Sequence, residues 1–191
     1  MINAIQEQIK ASIETKEIVL KDEQLQLELV RLVEACLKSL SAGGKIIFCG
    51  NGGSFADAQH LSAEFTSRFM FDRAPLPSLA LGTNSSAISA IGNDYGYEFV
   101  FSRELQSIAT SDDVFVAIST SGNSKNVIAA IEVATEKSVP TYAFTGANGG
   151  KMKSMCNALC IPSNDTARIQ ECHILLGHIL CGLVEKQYFA G

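Results

Sequence analysis

Apolar segments of strand length alternate with segments of helical period along this chain, and that alternation predicts an α/β fold: a three-layer sandwich whose parallel sheet carries helices on both faces. Two observations sharpen the expectation. Ile46-Ile47-Phe48-Cys49 and Val114-Phe115-Val116-Ala117-Ile118 are apolar at every position rather than at alternate ones, as strands buried on both faces require. The chain's 191 residues suffice for one large core but not for a catalytic domain plus a regulatory module of ordinary size. One domain over 1–191 is expected, with N-terminal helices at 1–41 and an α/β core at 44–191.

Residues 2–40 place apolar side chains at helical spacing (Ile5, Ile9, Ile13, then Leu25, Leu29, Leu32, Leu37), broken at Lys21-Asp22-Glu23. Two helices outside the sheet are predicted. Gly43-Gly44 stops the second. A strand then runs to Cys49, a helix from near Ser54 to about Phe69, a strand over Ser78 to Leu81, and helices around Ser85 to Ile91 and Phe99 to Ala109. Asp112-Asp113 turns the chain into the strand ending at Ile118. A helix from Asn126 to Lys137, strands at Thr141 to Thr145 and Ala158 to Ile161, and a long helix from Thr166 to Phe189 complete the pattern.

Composition narrows the partners. Hydrophobic residues make up 47% and charged residues 18%, with a formal charge of −5, which lacks the basic stripe of a nucleic-acid binder. No run of eighteen apolar residues exists for a membrane span, and the charged first twenty residues hold no signal core, so a cytoplasmic protein is expected. The six cysteines include no Cys-x-x-Cys and fall mostly in apolar periodic segments, where they act as small hydrophobes.

In sheets of this kind ligands bind beyond the carboxyl ends of the strands, here the loops after Cys49, Leu81 and Ile118. Gly50-Asn51-Gly52-Gly53-Ser54 frees backbone amides toward a ligand and opens a helix whose positive dipole end faces the same place, so an anion site is predicted. His60 and Glu64 follow on one face of that helix, one turn apart. Ser119-Thr120-Ser121-Gly122-Asn123-Ser124 gathers hydroxyls and amides ahead of another helix start, and can encircle a phosphate without a cation. Neither turn fits the Walker or the dinucleotide pattern.

These motifs, with Asp57, Gly92-Asn93-Asp94, Arg168-Ile169-Gln170-Glu171 and His178, resemble the phosphoheptose isomerases, a branch of the sugar isomerase (SIS) domain family, along essentially the whole chain. The resemblance implies a SIS-type, flavodoxin-like fold. The implied reaction interconverts sedoheptulose 7-phosphate and D-glycero-D-manno-heptose 7-phosphate through an enediolate, the opening step toward the heptose of bacterial surface polysaccharides. It further implies a cytoplasmic homotetramer with sites at subunit interfaces and one zinc per subunit, held by His60, Glu64, Gln170 and His178. Implied substrate contacts are Asn51, Gly52, Gly53, Ser54, Glu64, Asn93, Asp94, Ser119, Thr120, Ser121, Ser124 and Gln170. Some relatives carry an acidic residue where this chain has Ala167, so a polar contact there is not expected. Alternatives are an isomerase of another phosphosugar, or a noncatalytic SIS adaptor binding a replication initiator; the convergence of His60, Glu64, Gln170 and His178 disfavours the adaptor.

Moving a carbonyl between C1 and C2 needs a base and an acid. Glu64 is the expected base, since a carboxylate in a partly closed apolar site suits proton removal near neutrality, and His178 the expected acid. Glu64 cannot easily be a firm zinc ligand and a free base together. Gln170 and His178 are eight residues apart, about 12 Å along a helix, so they lean together or come from different subunits. His173 is expected to point away from His178, at an interface, and Arg68 is left without a role. By composition alone Gly92-Asn93-Asp94 reads as a turn.

Overall fold

Five parallel strands in the order β2-β1-β3-β4-β5 form the centre of the molecule, in a computed structural model that describes residues 1–190. The strands are β1 (Ile46–Gly50), β2 (Ser78–Ala80), β3 (Val114–Ile118), β4 (Thr141–Thr145) and β5 (Asn157–Cys160). The helices are α1 (Ile2–Lys21), α2 (Glu23–Ser41), α3 (Gly53–Thr66), α4 (Ser85–Asp94), α5 (Val100–Ile108), α6 (Lys125–Glu136) and α7 (Thr166–Phe189), with 3₁₀ turns at Tyr97–Phe99 and Met152–Ser154. This is the flavodoxin-like strand order, which reverses direction between β1 and β3 and opens a crevice there.

Side chains of each strand alternate between two cores. Ile46, Phe48, Val114, Val116, Ile118 and Phe144 pack with residues of α2, α3 and α7. Ile47, Cys49, Phe115, Ala117 and Ala143 pack with α5 and α6. Full burial on both sides explains why these strands read as continuous apolar runs. All six cysteines are unpaired, and burial raises the thiols of Cys36, Cys49 and Cys181 above their ordinary range. Asp22 caps α2 by accepting from the Leu25 amide, which accounts for the break between the first two helices.

Several boundaries differ from the sequence reading. Helix α3 stops at Thr66 rather than near Phe69, because the Arg73 guanidinium takes its terminal carbonyls: Nη2 donates to Glu64 O at 2.8 Å and Nη1 to Phe65 O at 2.7 Å. A helix end is stable once its orphan carbonyls have donors. Gly92-Asn93-Asp94 is no turn but the last turn of α4. Strand β5 begins at Asn157 and ends before Ile161. His173 is fully buried rather than at a surface. Its Nε2 lies 3.2 Å from Thr145 O and its ring packs on Phe144, and burial lowers its pKa to about 4.

Helix α1 leaves most of its apolar face uncovered. Ile2, Ile5, Ile9 and Ile13 are exposed, and only Thr15 and Val19 are buried. Arg168 on α7 anchors this helix, donating from Nη1 to the backbone and side-chain oxygens of Gln8 at 3.0 Å.

Candidate functional site

The turns after β1 and β3 stand side by side because β1 pairs with β3, Cys49 opposite Ala117 and Gly50 opposite Ile118. Gly52 precedes α3 with φ +57, a left-handed conformation that suits glycine. The amides of Ser54 and Phe55 close the turn on Asn51 and Gly52 carbonyls, leaving those of Gly52 and Gly53 without an acceptor among the described residues and open to an anion.

In the second turn, Ser119 Oγ lies 3.0 Å from Ser124 Oγ and 3.5 Å from Ser121 Oγ. Ser124 is the N-cap of α6, yet its hydroxyl makes no capping bond to that helix. Three hydroxyls therefore converge at a helix start with its dipole behind them. Gly122 has φ +63, and a Cβ there would meet Gly149 O at 2.1 Å. The loop after β4 thus backs the hydroxyl turn directly. A pocket of about 200 Å³ lies between them, lined by Thr120, Ser121, Gly146, Asn148, Ser163 and Thr166 among others. Sequence reading had not singled out the loops after β4 and β5; the Gly-rich run Gly146 to Gly150 was the available signal.

His60 and Glu64 share the exposed face of α3, with His60 Nε2 3.0 Å from Glu64 Oε1. His178 comes from α7, with its Nε2 3.1 Å from His60 Nε2. The ligand atoms of these three residues all lie within 4.8 Å of one another. Contact is possible because α7 runs alongside α3 at Gly177, where a Cβ would meet Leu61 Cδ2 at 2.5 Å. The His178 ring stacks on Phe69, centroids 5.5 Å apart and planes inclined at 20°. Phe69 is itself held by Glu185, whose carboxylate accepts from the amides of Phe69 (2.9 Å) and Met70 (2.7 Å) and from Arg73 Nε (2.8 Å). Burial alone would raise the Glu185 pKa, but the two amides and the guanidinium outweigh it and hold the carboxyl below its ordinary range. One turn before His60, Asp57 is half-buried; burial raises its pKa, partly offset by the imidazoles of His60 and His178.

Gln170 is on the same helix as His178 but two turns earlier, its amide nitrogen 2.7 Å from where a Gly53 Cβ would lie. The seam between α3 and α7 therefore pairs Gly53 with Gln170, and His60 with His178, within one protomer. Ser54, also at the start of α3, is buried. Asn93 and Asp94 are exposed and hydrogen-bond each other at 2.8 Å. Arg168 serves α1 as described, and its Nη2 also bonds Glu171. Asn126 and Tyr97, which sequence reading did not identify, both contact Asn51.

Comparison with known proteins adds a second line. A family model described as a SIS domain matches residues 7–146. The chain is 50% identical over 190 residues to a phosphoheptose isomerase of Aneurinibacillus thermoaerophilus, covering 99% of this chain and 96% of that one. It is 58% identical over 149 residues to a phosphoheptose isomerase of Rhodospirillum rubrum, covering 77% and 79%. Among solved structures, the phosphoheptose isomerase of Neisseria gonorrhoeae superposes with a TM-score of 0.88 at 42% identity, covering 95% of this chain and 98% of that one. A phosphoheptose isomerase from Francisella tularensis gives a TM-score of 0.92 at 33% identity, covering 97% and 98%.

Proposed function

The chain belongs to the SIS-domain family and, within it, to the phosphoheptose isomerases, and from that premise we propose how its side chains carry out the isomerisation. The protein is a phosphosugar isomerase that interconverts sedoheptulose 7-phosphate and D-glycero-D-manno-heptose 7-phosphate. The observation that carries the mechanism is the meeting of His60 and Glu64 of α3 with His178 of α7, their ligand atoms all within 4.8 Å of one another.

The sugar phosphate is bound by uncharged donors: Ser119, Thr120, Ser121 and Ser124 at the start of α6, with the free amides of Gly52 and Gly53, and Asn51, Ser54 and Gln170 nearby. Such donors hold a phosphate ester firmly enough to orient it and loosely enough to release it. Asn93 and Asp94 join the contact set from α4. Glu64 then takes the proton from one carbon and returns it to the other, while His178 gives a proton to the carbonyl oxygen and takes one back from the neighbouring hydroxyl, so that both groups end as they began. One oxygen of Glu64 faces His60, and the other makes no hydrogen bond among the described residues, so a single carboxylate can meet both demands made on it. Acid and base catalysis of this kind supplies roughly two to four orders of magnitude.

The donor set suits zinc. Bonds of about 2.0–2.1 Å at tetrahedral angles place two ligand atoms roughly 3.3 Å apart, against 3.1 Å between the imidazole nitrogens and 3.0 Å from His60 to Glu64. His60, Glu64 and His178 would hold one ion per subunit, with Gln170, which rests against Gly53, as the fourth donor; with its Nε2 so engaged, His178 would offer the sugar its Nδ1–H. Bound zinc would polarise the carbonyl and stabilise negative charge on the enediolate oxygens.

One domain spans the chain, residues 1–41 forming its helical arm, and the protein acts in the cytoplasm as a homotetramer with sites at subunit boundaries. Three features support the assembly. His60 is 48% exposed in the protomer. An apolar surface of Phe69, Met70, Phe71 and Ile179 adjoins His178. Isoleucines stand bare along α1. No helix of the described residues is long and apolar enough to cross a membrane. Incubation with sedoheptulose 7-phosphate and, separately, fructose 6-phosphate tests the reading: a new aldose should form from the first only, and its formation should stop on chelation and resume with added zinc. Equal turnover of the six-carbon ketose would remove the substrate assignment.

A further inference from the structure

Asn126 is a buried carboxamide in the first turn of α6, and burying such a group is costly unless its donors and acceptors are used. Its partner lies 75 residues away. Asn51 Nδ2 donates to Asn126 Oδ1 at 2.8 Å, and Asn126 Nδ2 donates back to Asn51 Oδ1 at 2.9 Å. Two further bonds fix the orientation of this pair. The backbone N–H of Val127 donates to Asn126 Oδ1 at 3.0 Å, and a backbone amide is never an acceptor. The Asn126 oxygen must therefore lie on that side, which turns the Asn51 nitrogen toward it and the Asn51 oxygen toward Asn126 Nδ2. With Asn51 Oδ1 so placed, the Tyr97 hydroxyl at 3.1 Å is its second donor.

A carboxamide has two acceptor positions and two donor protons. Both acceptor positions of Asn51 are filled, and one proton is used. A single N–H remains without a partner among the described residues, and Asn51 lines an open pocket of about 570 Å³ with Tyr97, Ser124, Lys125 and Asn126. We propose that Asn126 and Tyr97 are positioning residues that lock Asn51 as a one-proton donor to an oxygen of the bound sugar phosphate, tying the turn after β1 to the turn after β3. This rests on the phosphosugar reading above. The lock acts on binding, since neither residue adjoins the His60, Glu64 and His178 group in the hydrogen-bond network.

The test is a double-mutant cycle between Tyr97→Phe and Asn51→Ala, reading kcat and KM with sedoheptulose 7-phosphate and Kd by calorimetry with the same sugar phosphate. Tyr97 is exposed, so its variant folds. Losing one hydrogen bond that orders a donor should raise KM and Kd about three- to tenfold with kcat within about twofold. In the Asn51→Ala background the same change should be less than about twofold. Asn126→Asp, which cannot donate to Asn51, should reproduce the KM rise without lowering the melting temperature in proportion. Equal effects of Tyr97→Phe in both backgrounds, or a fall in kcat at constant KM, would overturn the proposal. Coupling in Kd from an enzyme that forms no aldose would leave the lock standing and remove the isomerase reading.

Discussion

Replacing Glu185 with Gln attacks a fully buried ion pair that borders the His60, Glu64 and His178 group. Side-chain exposure is 1% for Glu185 and 2% for Arg73, so neither charge has water to fall back on. The glutamine keeps one acceptor but turns an NH₂ toward groups that are all donors: the Phe69 and Met70 amides and Arg73 Nε. Hydrogen bonds to a charged group contribute about 1.5–3 kcal/mol each way of counting, and breaking a buried pair by removing one partner costs about 3–5 kcal/mol. Arg73 keeps its carbonyl partners at Glu64, Phe65, Ser67 and Ala74, so the lower figure, about 3 kcal/mol, is expected. Urea unfolding at fixed protein concentration measures it. The sign with pH follows from the depressed carboxyl: the stabilisation is complete above the ordinary glutamate value near 4.3 and is lost as pH falls through the lower folded value. Wild type and variant should therefore converge in acid. Because the same carboxylate holds Phe69 against His178, zinc affinity should fall about tenfold as well. A variant within about 1 kcal/mol of wild type at pH 7, or a difference that grows in acid, would refute the reasoning.

Glu64→Gln should abolish aldose formation while calorimetry still detects sugar-phosphate binding; persisting turnover would eliminate Glu64 as the base. Gly122→Ala puts a Cβ where 2.1 Å separates it from Gly149 O and strains a left-handed residue. It should cost about 1–3 kcal/mol and raise KM more than it lowers kcat, as steady-state kinetics will read. Gly177→Val should part α3 from α7 at Leu61, separating His178 from His60 and lowering zinc affinity by equilibrium dialysis with the phosphate turns intact. His173, with its folded pKa lowered to about 4, stays neutral where the unfolded chain is protonated. Stability should drop by about 3 kcal/mol between pH 6.5 and 4, and His173→Gln should flatten that part of the profile.

The sheet and its cover were legible in the sequence because their signals are local. A strand buried on both faces is written as consecutive apolar residues, and β1 and β3 were read within one residue of their ends. The pairing of His60 with Glu64 was legible for the same reason: four residues place them on one helical face whatever else the chain does. The end of α3 was not, because the guanidinium that stops it comes from Arg73, outside the helix.

What the sequence by itself determined is therefore the set of pieces: alternating strands and helices, two glycine- and hydroxyl-rich turns at helix starts, and an imidazole one turn from a carboxyl. Tertiary structure alone decided which pieces meet. His178 reaches His60 across 118 residues because strand order puts α7 beside α3 and Gly177 lets the two approach. His173, five residues earlier on the same helix, turns instead into the core against Phe144 and Thr145. Arg168, from the same motif as Gln170, was turned to hold α1 rather than a ligand. Asn51 and Asn126 pair because parallel β1 and β3 deliver their turns to one crevice. Backbone periodicity fixes neighbours three or four residues apart, whereas contacts between distant segments depend on packing that no local spacing encodes.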